Sequence, residues 1–176
     1  MSNTKIQSSV LGASGEHLVL SMLLRKGFIA GKTPDFTKDY DIIVVNKDGN
    51  DSAPIQVKTT VHNHWIMSYK NEKPIKNLFF CLVKMDLEND KSEIYVVDSN
   101  KISKALKTSH SLWLKLPGLK GQKHNDSTMR KLQRDYSNFA KESFDKFLNN
   151  QDRDFLNEYQ DGWLDKYKDA WHTIKT

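Results

Sequence analysis

One cysteine in 176 residues excludes a disulfide framework and a zinc centre built on cysteine pairs. Cys81 lies inside Phe79-Phe80-Cys81-Leu82-Val83, a buried-strand context, so it reads as a core residue and not as a nucleophile or ligand. No apolar run is long enough to span a bilayer, and the first residues carry no apolar segment of the signal-peptide kind. The expectation is a soluble, cytoplasmic protein with no membrane partner. A glycine-rich phosphate loop, a Ser-His-Asp order and a Cys-His pairing are all missing, which argues against the common nucleotide-binding and covalent-nucleophile classes. His110 and His124 have no acidic partners at metal-ligand spacing. Internal repeats, low-complexity tracts and long linkers are also lacking. The length suits one domain, with or without a small helical appendage, and can bury a sizeable core.

What is present is concentrated in the first third. Over residues 13–26 the apolar positions Leu18, Val19, Met22 and Leu23 recur at helical spacing, and Gly27 supplies a stop. Glu16 shares a side with Val19, Leu20 and Leu23, so it borders the buried stripe. Gly12, Ala13, Ser14 and Gly15 are small and admit close approach by another element.

Residues 41–45 and 53–60 are strand-like and flank a connection holding Asp48-Gly49, a strong hairpin signal. Two registers fit. A two-residue Asp48-Gly49 turn sets Asp41 opposite Gln56, and a loop over residues 48–51 sets Asp41 opposite Lys58. Side chains alternate with period 2, so either register puts Asp41, Gln56 and Lys58 on one face. Both leave Ile42, Val44, Ile55 and Val57 on the other, so the apolar and polar patterns agree.

Further along, residues 28–31 read as a short strand, 77–85 as a strand buried on both faces and 93–98 as another. Ser99 is placed to cap a helix through about residue 109. Residues 112–114 are expected to form a last short strand, 119–127 a polar loop, and 128–149 and 151–174 helices. His62, His64 and Trp65 follow the Lys58 strand and read as packing at a core edge. Phe155, Tyr159, Trp163, Tyr167 and Trp171 recur every four residues and read as one side of a helix, packed on the domain or on a second subunit.

Gly-Ala-Ser-Gly-Glu-His-Leu-Val at 12–19, the strand opening at Asp41, and Gln56-Val57-Lys58 resemble the PD-(D/E)XK nuclease superfamily, in its resolvase-like branch. The resemblance covers residues 9–100, and its motifs are short and degenerate. It implies a restriction-endonuclease-like α/β core, built as a helix, three strands, a helix and a further strand, here with a helical C-terminal extension. By that match Glu16 corresponds to the glutamate of the first helix, Asp41 to the central metal-binding aspartate and Lys58 to the lysine. The sequence departs from the pattern at Gln56, where most members carry Asp or Glu, and at Tyr40, where Pro is usual. Gln56 offers a neutral carbonyl oxygen, which ligates a hard cation without neutralising its charge.

The implied chemistry is Mg²⁺- or Mn²⁺-dependent cleavage of DNA. Asp41, Glu16, Gln56 and the Val57 carbonyl would form a partial oxygen shell, and Lys58 would serve the transition state. Charge is unevenly spread along the chain. Residues 101–141 hold ten Lys/Arg against Asp126 and Asp135, whereas residues 1–100 are balanced and 142–176 are acidic. Lys120, Lys123, Arg130, Lys131 and Arg134 are therefore expected to contact DNA phosphates, not base edges. The division expected is a nuclease-like core over residues 1–116 and a basic loop with a helical extension over 117–176. Two further readings stand beside the nuclease. One is a catalytically silent nuclease-fold module for DNA binding or assembly. The other is a protein-interaction module, or a homodimer, that uses the aromatic C-terminal helix.

Overall fold

The computed structural model describes residues 6–34, 36, 37 and 39–175, leaving aside the side chain of Leu119. Helix α1 (Ser8–Arg25) starts earlier than the apolar spacing suggests and ends before Gly27, whose φ of 84° lets the chain reverse. It leads into β1 (Ile29–Lys32), β2 (Ile42–Val45) and β3 (Ser52–Thr60). These three are antiparallel in sequence order. Next come β4 (His64–Ser68), a 3₁₀ turn, β5 (Phe79–Asp86), β6 (Lys91–Asp98) and α2 (Ser99–Lys115). A polar loop then precedes β7 (Met129–Gln133), and α3 (Asn150–Glu158) is followed only by short 3₁₀ turns.

Five strands form one mixed sheet in the order β1-β2-β3-β5-β6. β5 lies parallel to β3 and antiparallel to β6. Parallel neighbours need a crossover. The resemblance puts a helix there; this chain uses β4 and the 3₁₀ turn, and the helix comes later, as α2. β4 pairs with β7 in a separate two-stranded ribbon.

The sheet is buried on both faces, as the unbroken apolar run of β5 requires. On one side Val19 and Leu23 of α1 cover Ile42, Val44, Ile55, Val57, Cys81 and Val83. On the other, Ile102, Ala105, Leu106 and Leu112 of α2 cover Phe80, Leu82, Tyr95 and Val97. Cys81 is fully enclosed, and burial pushes its thiol far above the usual range, which fits a core residue. Trp65 is buried too, its indole N–H donating to the Val83 carbonyl at 3.0 Å, so it ties the ribbon to the sheet. No helix among the described residues is long and apolar enough to cross a membrane.

Four sequence expectations give way here. α2 is capped by Asp98, whose side chain accepts from Lys101 N–H, and Ser99 is its first helical residue. Residues 112–114 continue α2 instead of forming a strand, because Leu112 and Leu116 extend the buried stripe of that helix. The helix expected over 128–149 is replaced by β7 and 3₁₀ turns, with Arg130 and Leu132 inward and Met129 and Lys131 outward. The long C-terminal helix stops at Glu158, and Gly162 turns the chain at a φ of 84°. Its aromatic residues nevertheless pack. Phe155, Tyr159 and Trp163 join the α2 side, whereas Trp171 reaches the α1 side. The tail passes the β6 edge, where Tyr95 pairs with Lys168 and Asp169 N–H donates to Ile94 O at 3.0 Å. That contact shields an open sheet edge. The aromatic stripe is thus spent inside the protein, so a dimer or partner surface built on it is not what the chain presents.

Candidate active site

β2 and β3 pair with Ile42 opposite Ile55 and Val45 opposite Ser52, the register that sets Asp41 against Gln56. Asp48-Gly49 forms the tip of a longer connection, closed by Asn46 N–H donating to Asp51 O at 3.1 Å. The ladder ends at Ile42. Antiparallel alternation would next bond Tyr40 to Val57. Instead, Asp41 N–H donates to Ile55 O at 2.8 Å, and Tyr40 O accepts from the Thr33 hydroxyl at 3.0 Å. The Val57 N–H so released donates to Asp41 Oδ2 at 2.7 Å. One backbone irregularity therefore turns the Asp41 carboxylate back onto the strand that carries Lys58.

Burial is the main influence on Asp41 and raises its carboxyl above the ordinary aspartate value. The Val57 N–H opposes that rise, the Glu16 carboxylate adds to it, and the Lys58 and Lys32 ammonium groups pull it back. Glu16, Asp41 and Lys58 therefore share one electrostatic neighbourhood. Glu16 Oε2 lies 2.9 Å from Lys32 Nζ, and both line a cavity of about 110 Å³ with Thr33, Tyr40 and Asp41. Gln56 lies on the same face of β3 as Lys58, and its Oε1 accepts from Asn71 Nδ2 at 3.2 Å.

The seat of α1 controls this grouping. Gly15 lies against β3, where a Cβ would stand 3.0 Å from both Cβ and Cγ2 of Thr59 and closer still to its hydroxyl. The two residues next along the chain from this contact are Glu16 and Lys58. Sequence reasoning missed Thr59, Lys32 and Asn71. The signal for Lys32 lies in strand order, because β1 pairs it with Ile42, one residue from Asp41. Asn71 gives no such signal, since it reaches Gln56 through the turn after β4.

The donor set fits a hard divalent cation. The Asp41 and Glu16 carboxylates repel one another while the Lys32 and Lys58 ammonium groups offset part of their charge, and magnesium is commonly held by one or two carboxylates with water and phosphate completing the shell. In an extended strand a residue's N–H and C=O face the same neighbour, so the Val57 carbonyl is directed to the Asp41 edge. No group of three or more His, Cys, Asp or Glu side chains is arranged to hold a metal among the described residues, and position 56 offers a neutral glutamine.

The basic residues are distributed differently from expectation. Lys120 and Lys123 are exposed on the loop before β7. Arg130 is only 7% exposed; it bonds to Glu72 and to Ser127 O, and lies 3.4 Å from Asp126. It is an internal anchor, not a phosphate contact, because β7 turns it inward. Arg134 donates to Glu93 Oε2 at 3.1 Å and lies over the Tyr95 ring. Lys131 points outward from β7, opposite Ile66. No helix begins at residue 128 to offer its N-terminus to a phosphate.

No family model and no curated protein matches the sequence. Among solved structures the chain is similar to a bacterial homing endonuclease, I-Ssp6803I, at 12% identity and a TM-score of 0.49, over 96% of this chain and 91% of that one. It is also similar to Archaeoglobus fulgidus Hjc, a Holliday junction resolvase from an archaeal hyperthermophile, at 14% identity and a TM-score of 0.38, over 69% of this chain and 83% of that one. With α1 against one face of a five-stranded mixed sheet, the strands leading from Asp41 and carrying Lys58 paired within it and α2 on the far face, the chain has a mixed α/β fold with helices on both faces of the sheet.

Proposed function

We propose that this protein hydrolyses DNA phosphodiester bonds with the help of Mg²⁺ or Mn²⁺. The observation that carries the reading is the Asp41 carboxylate, turned onto β3 by the Val57 N–H and acted on by the opposite charges of Glu16 and Lys58. When bound, the cation supplies Lewis-acid polarisation of the scissile phosphate and a more acidic water. Asp41 and Glu16 provide the anionic ligands, with Gln56 Oε1 and the Val57 carbonyl as neutral ones. Lys58, on the same face of β3, places a fixed positive charge where negative charge builds in the transition state. Lys120 and Lys123 meet phosphates on the flanking duplex.

Two contacts favour a second reading, a DNA-binding module without catalysis. Gln56 Oε1 is engaged by Asn71, and Glu16 is engaged by Lys32. Nicking of supercoiled plasmid by the purified chain separates the two. The nuclease requires nicking that depends on added Mg²⁺ or Mn²⁺, disappears in Asp41→Asn, and disappears in Lys58→Ala with DNA binding intact. Tight, chelator-insensitive DNA binding with no nicking under either metal establishes the silent module.

A further inference from the structure

The β4–β7 ribbon stands apart from the central sheet and shows two unlike faces. Its inner face carries Trp65, Met67, Arg130 and Leu132, all buried. The Trp65 bond to Val83 and the Arg130 bonds to Glu72 and Ser127 hold the ribbon rigidly on the core. Its outer face is set by the register: His64 opposite Gln133, Ile66 opposite Lys131, and Ser68 opposite Met129.

These six side chains differ from an ordinary solvated surface. Ile66 is 49% exposed and Met129 is 55% exposed, on either side of Lys131. Beside them are hydrogen-bonding groups from His64, Ser68 and Gln133, and none of the six is acidic. Lys131 lies close enough to His64 to help lower its basicity, after burial as the larger cause. Cations stand at both ends of the ribbon. Lys70 and Lys73 are exposed on the turn after Ser68, and Lys84 bonds to Asn63 just before His64, at 2.8 Å. The acid of that turn, Glu72, is directed inward to Arg130, and the acids nearest the two ends are engaged as well, Asp126 by His110 and Asp135 by Ser137.

We propose that the outer face of this ribbon enters the major groove of duplex DNA and reads base edges. The inference rests on the nuclease or DNA-binding reading and adds to it the element that selects the substrate. Paired strands lie about 4.8 Å apart, and the groove is roughly 12 Å wide, so a two-stranded ribbon fits. The chemistry also fits. Glutamine pairs with adenine, lysine with guanine N7 and O6, and apolar side chains meet the thymine methyl. The charges at both ends match the two phosphate backbones that wall the groove. The ribbon is continuous with the candidate site, because β4 follows the Lys58 strand directly and Asn71, just after β4, holds Gln56. Lys131 thus belongs to the groove and not to the phosphates.

The test uses the full chain and a randomised duplex library. Selection by the wild type should enrich a defined sequence. That duplex, rebuilt with 7-deazapurines that lack the N7 acceptor of the major groove, should bind about tenfold weaker or worse at fixed salt. Lys131→Ala combined with Gln133→Ala should bind the selected and unselected duplexes alike and lose sensitivity to the N7 substitution. The bonds of Gln133 to Tyr136 and Trp163 use its backbone, so the variant should melt like the wild type. A wild type without sequence preference, N7 substitution without effect, or a variant that keeps the preference overturns the ribbon assignment. Absence of any DNA binding overturns both this inference and the function on which it rests. Sequence-selective, N7-sensitive binding without nicking upholds the ribbon while refuting the nuclease.

Discussion

Two glycines three residues apart in α1 should respond oppositely to the same substitution. Around Gly12 nothing lies within 4 Å of where a Cβ would stand. Gly12→Ala therefore gains helix propensity without contact cost, and should raise unfolding stability by about 0.5–1 kcal/mol. At Gly15 the same gain is available, but the new methyl falls 3.0 Å from Thr59 Cβ and Cγ2 and overlaps the hydroxyl. Rotating Thr59 moves the hydroxyl but not the Thr59 Cβ, which stays 3.0 Å from the new methyl. Either the helix or β3 must then move. Overpacking of this kind costs about 1–3 kcal/mol, so Gly15→Ala should come out neutral to about 2 kcal/mol less stable. The Thr59 hydroxyl is buried without a hydrogen-bond partner, so Thr59→Ala removes the obstacle at little polar cost. The double variant should recover most of the loss, giving a coupling energy of about 1 kcal/mol or more. Urea unfolding of the four proteins measures these terms. The contact also spaces Glu16 from Lys58, so Gly15→Ala should depress activity more than stability, and Thr59→Ala should restore both. Equal stabilisation by alanine at positions 12 and 15 would refute the claim that Gly15 seats the helix.

Asp41→Asn should raise unfolding stability by about 1 kcal/mol or less while removing nicking, because the amide still accepts from Val57 and carries no buried charge. The sign with pH follows from the raised Asp41 carboxyl: the folded state favours its protonated form, so the advantage of the variant is full at neutral pH and shrinks as pH falls through that value. Urea unfolding of both proteins from about pH 7 to about pH 4 checks it, and a gap that widens toward acid contradicts it. Gln56→Glu should tighten Mn²⁺ binding measured by calorimetry, since a carboxylate adds charge at the same oxygen position; unchanged or weaker binding would show that position 56 faces no metal. Arg130→Ala should cost about 1–3 kcal/mol by leaving the half-buried Glu72 without its partner, whereas neutralising Lys120 and Lys123 should leave stability alone and flatten the salt dependence of DNA binding by roughly two units.

The hairpin of β2 and β3 was legible because two independent periods agree: apolar residues alternate onto one face, polar ones onto the other, around Asp48-Gly49. α1 and its stop at Gly27 were legible for a similar reason, helical spacing followed by a residue free to turn. Asp41, Gln56 and Lys58 fell on one face by alternation alone, whichever register held. The choice between registers was not local. It depends on how the Asn46–Asp51 connection closes, through bonds that the Asn46 side chain makes to Asn50 and Asp51.

Other features became visible only once distant segments met. β7 resembles a polar helix start because its inward residue is an arginine, and that arginine is satisfied by a glutamate 58 positions away. Its partner strand β4 is five residues long and anchored by one tryptophan. The four-residue aromatic spacing of the tail imitates a helix, although Gly162 interrupts it, and burial against both faces of the sheet makes the spacing serve a wrapping chain. Local sequence thus determined the strand and helix periods, and with them the face on which the candidate catalytic groups lie. Tertiary structure decided what those groups touch, since Lys32 on Glu16, Asn71 on Gln56 and Thr59 under Gly15 are contacts between elements, which no local period encodes.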